Sequence, residues 1–241
     1  AFSNHLYSTA AAGTYLKIQT IGIVRGEKIL PLNPTLKFAQ AQGMQLHFVD
    51  RTSYRLKEKL LLQLNLPLED CYILPEGGTN QLAIKGCAEL GSEILDQLKF
   101  IPDYVGVSCG TGGTVAGLIS SLPTSTHVLG VSALKGDFLR LEVQNLLRQF
   151  SPKTNHTNFS IQTDYHFGGY AKYQPALLDF IHQFKKDFRI QLDPIYTSKM
   201  FYGIFDLIKK GFFPNQSKIV AIHTGGLQGI AGFRQRFGNI I

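Results

Sequence analysis

The sequence of 241 residues has no tryptophan, three cysteines and two methionines, and charge on 17% of its positions. It also has no apolar run long enough to cross a bilayer, so no membrane partner is expected. Sparse charge beside 44% hydrophobic content excludes a disordered chain, and the length suits one large domain or two small ones. The cysteines, Cys71, Cys87 and Cys109, are odd in number and form no C-x-x-C pair. That argues against a disulfide scaffold and a structural zinc site, and no metal is expected. They read as buried reduced thiols. The first residues do not read as a signal peptide, and the expected location is the cytoplasm. The chain opens on Ala1-Phe2-Ser3-Asn4, where Ser3 and Asn4 already look like a helix cap. The expectation is that a segment precedes it.

The net charge of +7 is uneven: residues 1–150 carry 13 basic and 12 acidic side chains, residues 151–241 carry 11 and 5. The basic residues are scattered, and Lys185-Lys186 and Lys209-Lys210 fall in helical patterns, as solvated faces do. Without tryptophan there is little material for an exposed stacking platform, and no nucleic-acid partner is expected. A positive field also suits a small anionic ligand.

What is abundant is glycine, at 24 residues. Strand-like runs at 20–24, 45–49, 71–74, 104–108, 128–133, 160–162 and 218–223 alternate with helix-like runs at 5–16, 35–42, 53–64, 81–98, 115–122, 138–149, 174–184, 199–210 and 227–236. Several strands are apolar without alternation, as strands covered on both faces are. The pattern predicts an α/β fold with parallel sheets. The polar, proline-containing stretch 65–70 is the softest linker, which divides the chain into a smaller domain, 1–66, and a larger one, 67–241.

The most informative segment is Val105–Gly117, a buried strand running into Gly110-Thr111-Gly112-Gly113-Thr114 and then a helix. Glycines and threonines at a helix N-terminus present backbone N–H groups and hydroxyls to an anion. No Gly-Lys-Ser/Thr follows, so it is not a Walker loop. Val115 stands where a dinucleotide fingerprint needs its third glycine. A monophosphate fits better, against the alternative of a turn that merely lets strand and helix pack. Two further glycine loops follow strand-like runs, Pro75–Asn80 and His223–Leu227, and loops at strand carboxyl ends line a crevice in open parallel sheets. His223 reads as structural. From the residues alone, Ser3 and Asn4 are helix-capping, and Tyr170 and Tyr196 are acid–base candidates only if they face that crevice.

Taken in order, Ser3-Asn4-His5, Thr20–Glu27, Asn33–Leu36, Gly43-Met44, Leu74–Asn80, the 110–114 loop, Leu192–Lys199 and His223–Gly226 resemble the pyridoxal-phosphate enzymes of tryptophan synthase β-like fold, fold type II, in the branch of 1-aminocyclopropane-1-carboxylate deaminase and D-cysteine desulfhydrase. The resemblance implies two open, mostly parallel sheets flanked by helices, a pyridoxal 5'-phosphate cofactor, a homodimer, and a deaminase or lyase that releases a 2-oxo acid and ammonia from a small amino acid. It implies that Gly110, Thr111, Gly112, Gly113 and Thr114 hold the phosphate and that Asn4 bonds the cofactor's phenolic oxygen. It further implies that Ser3 serves in proton transfer or attack, that Tyr170 and Tyr196 flank the substrate, and that Thr197 contacts the pyridine nitrogen. The family's Schiff-base lysine lies upstream of the Ser-Asn-His motif, and no lysine of this chain fits its position. Thr197 stands where the deaminase branch has a glutamate, which favours β-elimination as in the desulfhydrase branch. Ser198 replaces a customary glycine. The competing expectation is a non-catalytic anion- or cofactor-binding protein on the same fold.

Overall fold

A computed structural model describes residues 2–56, 60, 64 and 68–241. The chain forms two compact units, 1–74 with 228–238, and 75–227 with 239–241. The sequence reading drew one sequential cut after residue 66, a point outside the described residues. The return of 228–238 to the first unit is a feature that reading did not contain. It has a local cause: Gly232 lies against the Phe2 ring, so close that an added Cβ would meet Phe2 Cδ1 at 2.4 Å.

In the first unit, helix α1 (Asn4–Leu16) starts at Ser3, whose hydroxyl accepts from the Leu6 amide at 3.2 Å. Helix α2 (Pro34–Ala41) starts at Asn33, which accepts from Leu36, with proline in the first turn where its missing N–H costs nothing. Strands β1 (Ile21–Arg25) and β2 (Gln45–Val49) pair in parallel from Ile21 opposite Gln45 to Arg25 opposite Val49. Ala10, Ala39 and Met44 form the small core, and Tyr7 stacks on Phe38 at 3.8 Å. A short helix, α3 (Arg51–Tyr54), is capped by Asp50. Most of the helix expected over 53–64 lies outside the described residues.

The second unit holds α4 (Gln81–Leu98), β3 (Tyr104–Cys109), α5 (Gly113–Ser121), β4 (His127–Ser132), α6 (Phe138–Phe150), β5 (Phe159–Gln162), α7 (Pro175–Phe188), α8 (Thr197–Lys209) and β6 (Ile219–Ala221). Its sheet is parallel throughout, in the order β5-β4-β3-β6. Alternate residues along a strand face opposite ways. Val105, Val107 and Val128 therefore join Ile84, Leu118, Leu139 and Val143 on one face, while Leu129 and Val131 meet Met200, Ile204 and Leu207 on the other. Helices thus cover both faces of the sheet, as the apolar runs required. The final helix of the chain, α9 (Gly229–Phe237), belongs to the first unit.

One expected strand does not form. Residues 71–74 are irregular, with Tyr72, Ile73 and Leu74 exposed, and carry no strand. Their β-branched and aromatic character mimics a strand, but pairing, not composition, makes one.

Helices α4 and α5 touch through glycine. An added Cβ at Gly117 would meet Cys87 Cβ at 2.4 Å and backbone atoms of Cys87 and Ala88 at 2.8 and 2.9 Å, whereas one at exposed Gly86 would meet nothing within 4 Å. Gly117→Ala is expected to cost about 1–3 kcal/mol because backbone must move. Gly86→Ala is expected to stabilise by about 0.5–1 kcal/mol through lower chain entropy. Urea denaturation of the two variants checks the opposite signs.

Candidate active site

The chain leaves β3 at Cys109 and enters the 110–114 loop. Gly112 turns it with φ +90° and precedes α5 without any side-chain cap on the first turn. Those first amides are left for another acceptor. Two glycine loops interlock here. Thr79 Oγ1 and Thr111 Oγ1 lie 2.5 Å apart. Gly77 has φ +76°, and a Cβ there would strike Thr111 Cγ2 at 2.5 Å; one at Gly113 would lie 3.1 Å from Thr79 Oγ1. Two hydroxyls bonded to each other use one proton between them, so the second is free to donate outward. The third loop joins through Ser108 Oγ and Thr224 Oγ1 at 3.4 Å. Thr114 is half-buried, with the Cys87 thiol 3.9 Å from its hydroxyl. All three loops therefore meet at the carboxyl end of β3.

Tyr196 sits over this loop: a Cβ at Gly110 would lie 3.3 Å from Tyr196 Cε1. Its ring meets that of Tyr170 edge-on at 6.1 Å. Burial, then the neighbouring Tyr170 and Asp193, push the Tyr196 phenol above the ordinary tyrosine range. At neutral pH it is a hydrogen-bond donor and acid, not a phenolate.

Thr197 is held inside the turn that leads into α8. It is fully buried, its hydroxyl donates to Asp193 Oδ1 at 2.7 Å, and its oxygen accepts from the Asp193 amide at 2.9 Å. A hydroxyl has one proton, and here it is spent on Asp193. The contact expected between Thr197 and the pyridine nitrogen would require its proton to leave Asp193. The residue that sequence reasoning missed is Asp193. Its buried carboxylate also accepts from the amides of Ile195, Tyr196 and Thr197 at 2.8, 3.0 and 2.7 Å, and so builds the turn into α8. The signal was present: an aspartate four residues ahead of a helix start.

His223 is structural as read. Nδ1 accepts from the Gly225 amide, which leaves Nε2 to donate to the Gln191 carbonyl at 2.9 Å. Burial drives the Cys109 thiol up to about 12, so it is unreactive. Burial brings Lys199 down to about 8, with Asp193 opposing.

Ser3 and Asn4 belong to the first unit. Ser3 caps α1, and among the described residues none accepts its own proton. Gln228, also missed by sequence reasoning, accepts from the Thr35 hydroxyl and donates through Nε2 to Asn4 Oδ1. That bond occupies the acceptor of Asn4 and leaves its amide N–H groups to donate.

The fold and loops define a parallel α/β protein whose glycine loops gather at a helix N-terminus. The chain belongs to the pyridoxal-phosphate-dependent enzyme family, which residues 1–225 match. It is 30% identical to the mitochondrial bifunctional D-cysteine desulfhydrase/1-aminocyclopropane-1-carboxylate deaminase of Arabidopsis thaliana over 95% of this chain, and spans 62% of that relative's length. The crystal structure of a homologue of 1-aminocyclopropane-1-carboxylate deaminase superposes with a TM-score of 0.84 at 26% identity, over 100% of this chain and 76% of that one. A hydrogen sulfide-producing enzyme of Fusobacterium nucleatum shares the fold, with a TM-score of 0.68 at 15% identity over 95% of this chain and 77% of its own. These likenesses agree with the expected fold type II architecture of parallel sheets flanked by helices. Among the described residues no helix is long and apolar enough to cross a membrane.

The site fits the family's cofactor. The uncapped first turn of α5, the spare threonine proton and the glycine cradle are what a phosphate requires.

Thr79→Val with Thr111→Val removes both hydroxyls of the interlocked pair, and with them the spare proton, while keeping their shape. The full-length protein is expected to bind pyridoxal phosphate about tenfold more weakly, as loss of one charge-assisted bond does; fluorescence titration reads the constant. Asp193→Asn turns a four-bond acceptor into a group that faces amides with its own N–H. It is expected to cost about 2–4 kcal/mol in urea denaturation.

Proposed function

We propose that the complete protein is a pyridoxal-phosphate-dependent lyase or deaminase that takes a small amino acid and releases a 2-oxo acid and ammonia. The observation that carries this is the 110–114 cup with the protonated Tyr196 phenol over it, in a chain of this family. When bound, pyridoxal phosphate supplies an electron sink for charge developing at the substrate Cα. The chain supplies the rest. Amides of the first turn of α5 and the Thr111 hydroxyl bind the phosphate. The amide N–H groups of Asn4, oriented by Gln228, donate to the cofactor's phenolic oxygen. Ser3 Oγ, whose oxygen already accepts from Leu6, moves a proton at Cα. Tyr196 donates to the substrate from one side and Tyr170 flanks it.

The names of the relatives support two substrate classes, amino acids with a sulfur leaving group at Cβ and the strained cyclopropane. With Thr197 bonded to Asp193, neither is favoured by that residue. A homodimer in the cytoplasm is part of the proposal; the free thiols Cys71, Cys87 and Cys109 fit a reducing compartment. Light scattering of the full-length protein checks the dimer.

Full-length protein is expected to gain visible absorbance on addition of pyridoxal phosphate, and to release ammonia from D-cysteine or 1-aminocyclopropane-1-carboxylate. Tyr196→Phe is expected to lower kcat by about 10²-fold or more with the absorbance retained, as loss of a general acid does. Absorbance without turnover of any small amino acid would support the non-catalytic reading, and no absorbance at all would sink the enzyme.

A further inference from the structure

Lys199, third residue of α8, has no part in the function above. It is fully buried. An ammonium taken from water costs several kcal/mol unless its protons are all bonded. Lys199 Nζ donates to the carbonyls of Gly169 at 2.7 Å, His166 at 2.8 Å and Ala133 at 3.4 Å. Three N–H donors meet three acceptors, a match open to a tetrahedral ammonium and not to the planar fork of arginine. None of the acceptors is a carboxylate. The bonds go to backbone, and two of the three go to a single turn.

That turn needs holding. Phe167, Gly168, Gly169 and Ala171 have φ of 51°, 95°, 111° and 52°, and two of them are not glycine. A left-handed residue with a side chain is strained by its Cβ meeting the backbone. Local bonds help: Gly168 N–H donates to His166 Nδ1 at 2.8 Å, Gly169 N–H to the His166 carbonyl at 3.0 Å, and Lys172 N–H to the Gly169 carbonyl at 3.1 Å. The carbonyls of His166 and Gly169 each accept one backbone N–H and one proton of Lys199, which fills both lone pairs. The third bond ties the same nitrogen to Ala133, the residue that follows β4. The next residue in the turn is Tyr170.

We propose that Lys199 is a positioning residue for Tyr170: its ammonium clamps the 166–169 turn to the end of β4 and so fixes the phenol beside Tyr196. The consequence for substrate rests on the reading of Tyr170 given above; the clamp itself does not.

The test measures both in the full-length holoenzyme. Lys199→Met keeps the length of the side chain and removes its donors. By mass-spectrometric hydrogen exchange, the amides of Gly169 and Lys172 are expected to exchange about tenfold faster or more, the loss of one charge-assisted bond, while β3 amides stay within about twofold of wild type. Lys185→Met, at an exposed lysine of α7, is expected to change neither. In Lys199→Ala, n-propylammonium replaces the deleted atoms and is expected to restore slow exchange in the turn. In steady-state kinetics KM is expected to rise about fivefold or more, with pyridoxal-phosphate affinity unchanged. The same substitution placed in Tyr170→Phe is expected to add less than about twofold. Unchanged exchange at 166–172, or equal acceleration throughout the unit, overturns the proposal; so does a KM effect that is additive with Tyr170→Phe. If Tyr170→Phe alone leaves KM untouched while local exchange still rises, the clamp stands and the role of Tyr170 falls. Should Lys199→Met not fold, Lys199→Gln, with two donors, is expected to exchange at an intermediate rate, and a wild-type rate there overturns the clamp.

Discussion

Parallel pairing on both edges of β3 is the constraint from which the second unit is measured. β4 pairs along its whole length and β6 along its first three residues. Beyond the ladders, Ala133 N–H still donates to the Cys109 carbonyl at 3.0 Å and Ile222 N–H to the Gly106 carbonyl at 2.9 Å. The exits of three strands are thereby fixed to one line. The 110–114 loop leaves from that line, His223 and Thr224 arrive at it, and the carbonyl of Ala133 is presented there to Lys199. A strand slipped by one residue would turn Val105 and Val107 to the wrong face and carry all three exits with it.

The second constraint is electrostatic and sits in one helical turn. Asp193 collects three amides and a hydroxyl at the start of α8, where the helix dipole is positive and a carboxylate is favoured. Lys199 lies two residues into the helix and spends its charge on carbonyls of another segment. Neither group makes an ion pair with the other, yet Asp193 favours the charged form of Lys199 across the turn. Two buried charges of opposite sign, each satisfied by neutral groups, hold Tyr196 from one side and the turn bearing Tyr170 from the other. Both tyrosines carry their hydroxyls on backbone that charge has fixed.

The sheets were legible because the apolar runs at 104–108 and 128–133 could be buried only between helices, and the strand–loop–helix junction at 110–114 because glycines and threonines interrupt the apolar pattern there. The run at 71–74 was misread, since its residues satisfy strand composition yet adopt an irregular backbone. The return of 228–238 to the first unit could not be read from periodicity: it depends on Gly232 admitting the Phe2 ring, a contact between opposite ends of the sequence. Lys199 looked like any lysine near a helix start. Nothing in one sequence distinguishes a buried ammonium from a solvated one when its acceptors are backbone carbonyls.

Thr197 shows how much depends on a single proton. Position and residue type are compatible with a contact to a ring nitrogen, but a hydroxyl's role is decided by where its single proton goes. Asp193 is the stronger acceptor within reach, its carboxylate already aimed by three amides, and a bond to a carboxylate outweighs one to a neutral ring nitrogen. What remains to Thr197 Oγ1 is acceptor capacity, one lone pair of which is taken by the Asp193 amide. The same count applied to the 110–114 loop gives the opposite answer. Thr79 and Thr111 share a proton between neutral hydroxyls, so one donor is always left over. The chain therefore keeps its spare hydroxyl proton at the end of β3, where an anion would meet it, and spends the Thr197 proton inside the protein, where it stiffens the turn that carries Tyr196.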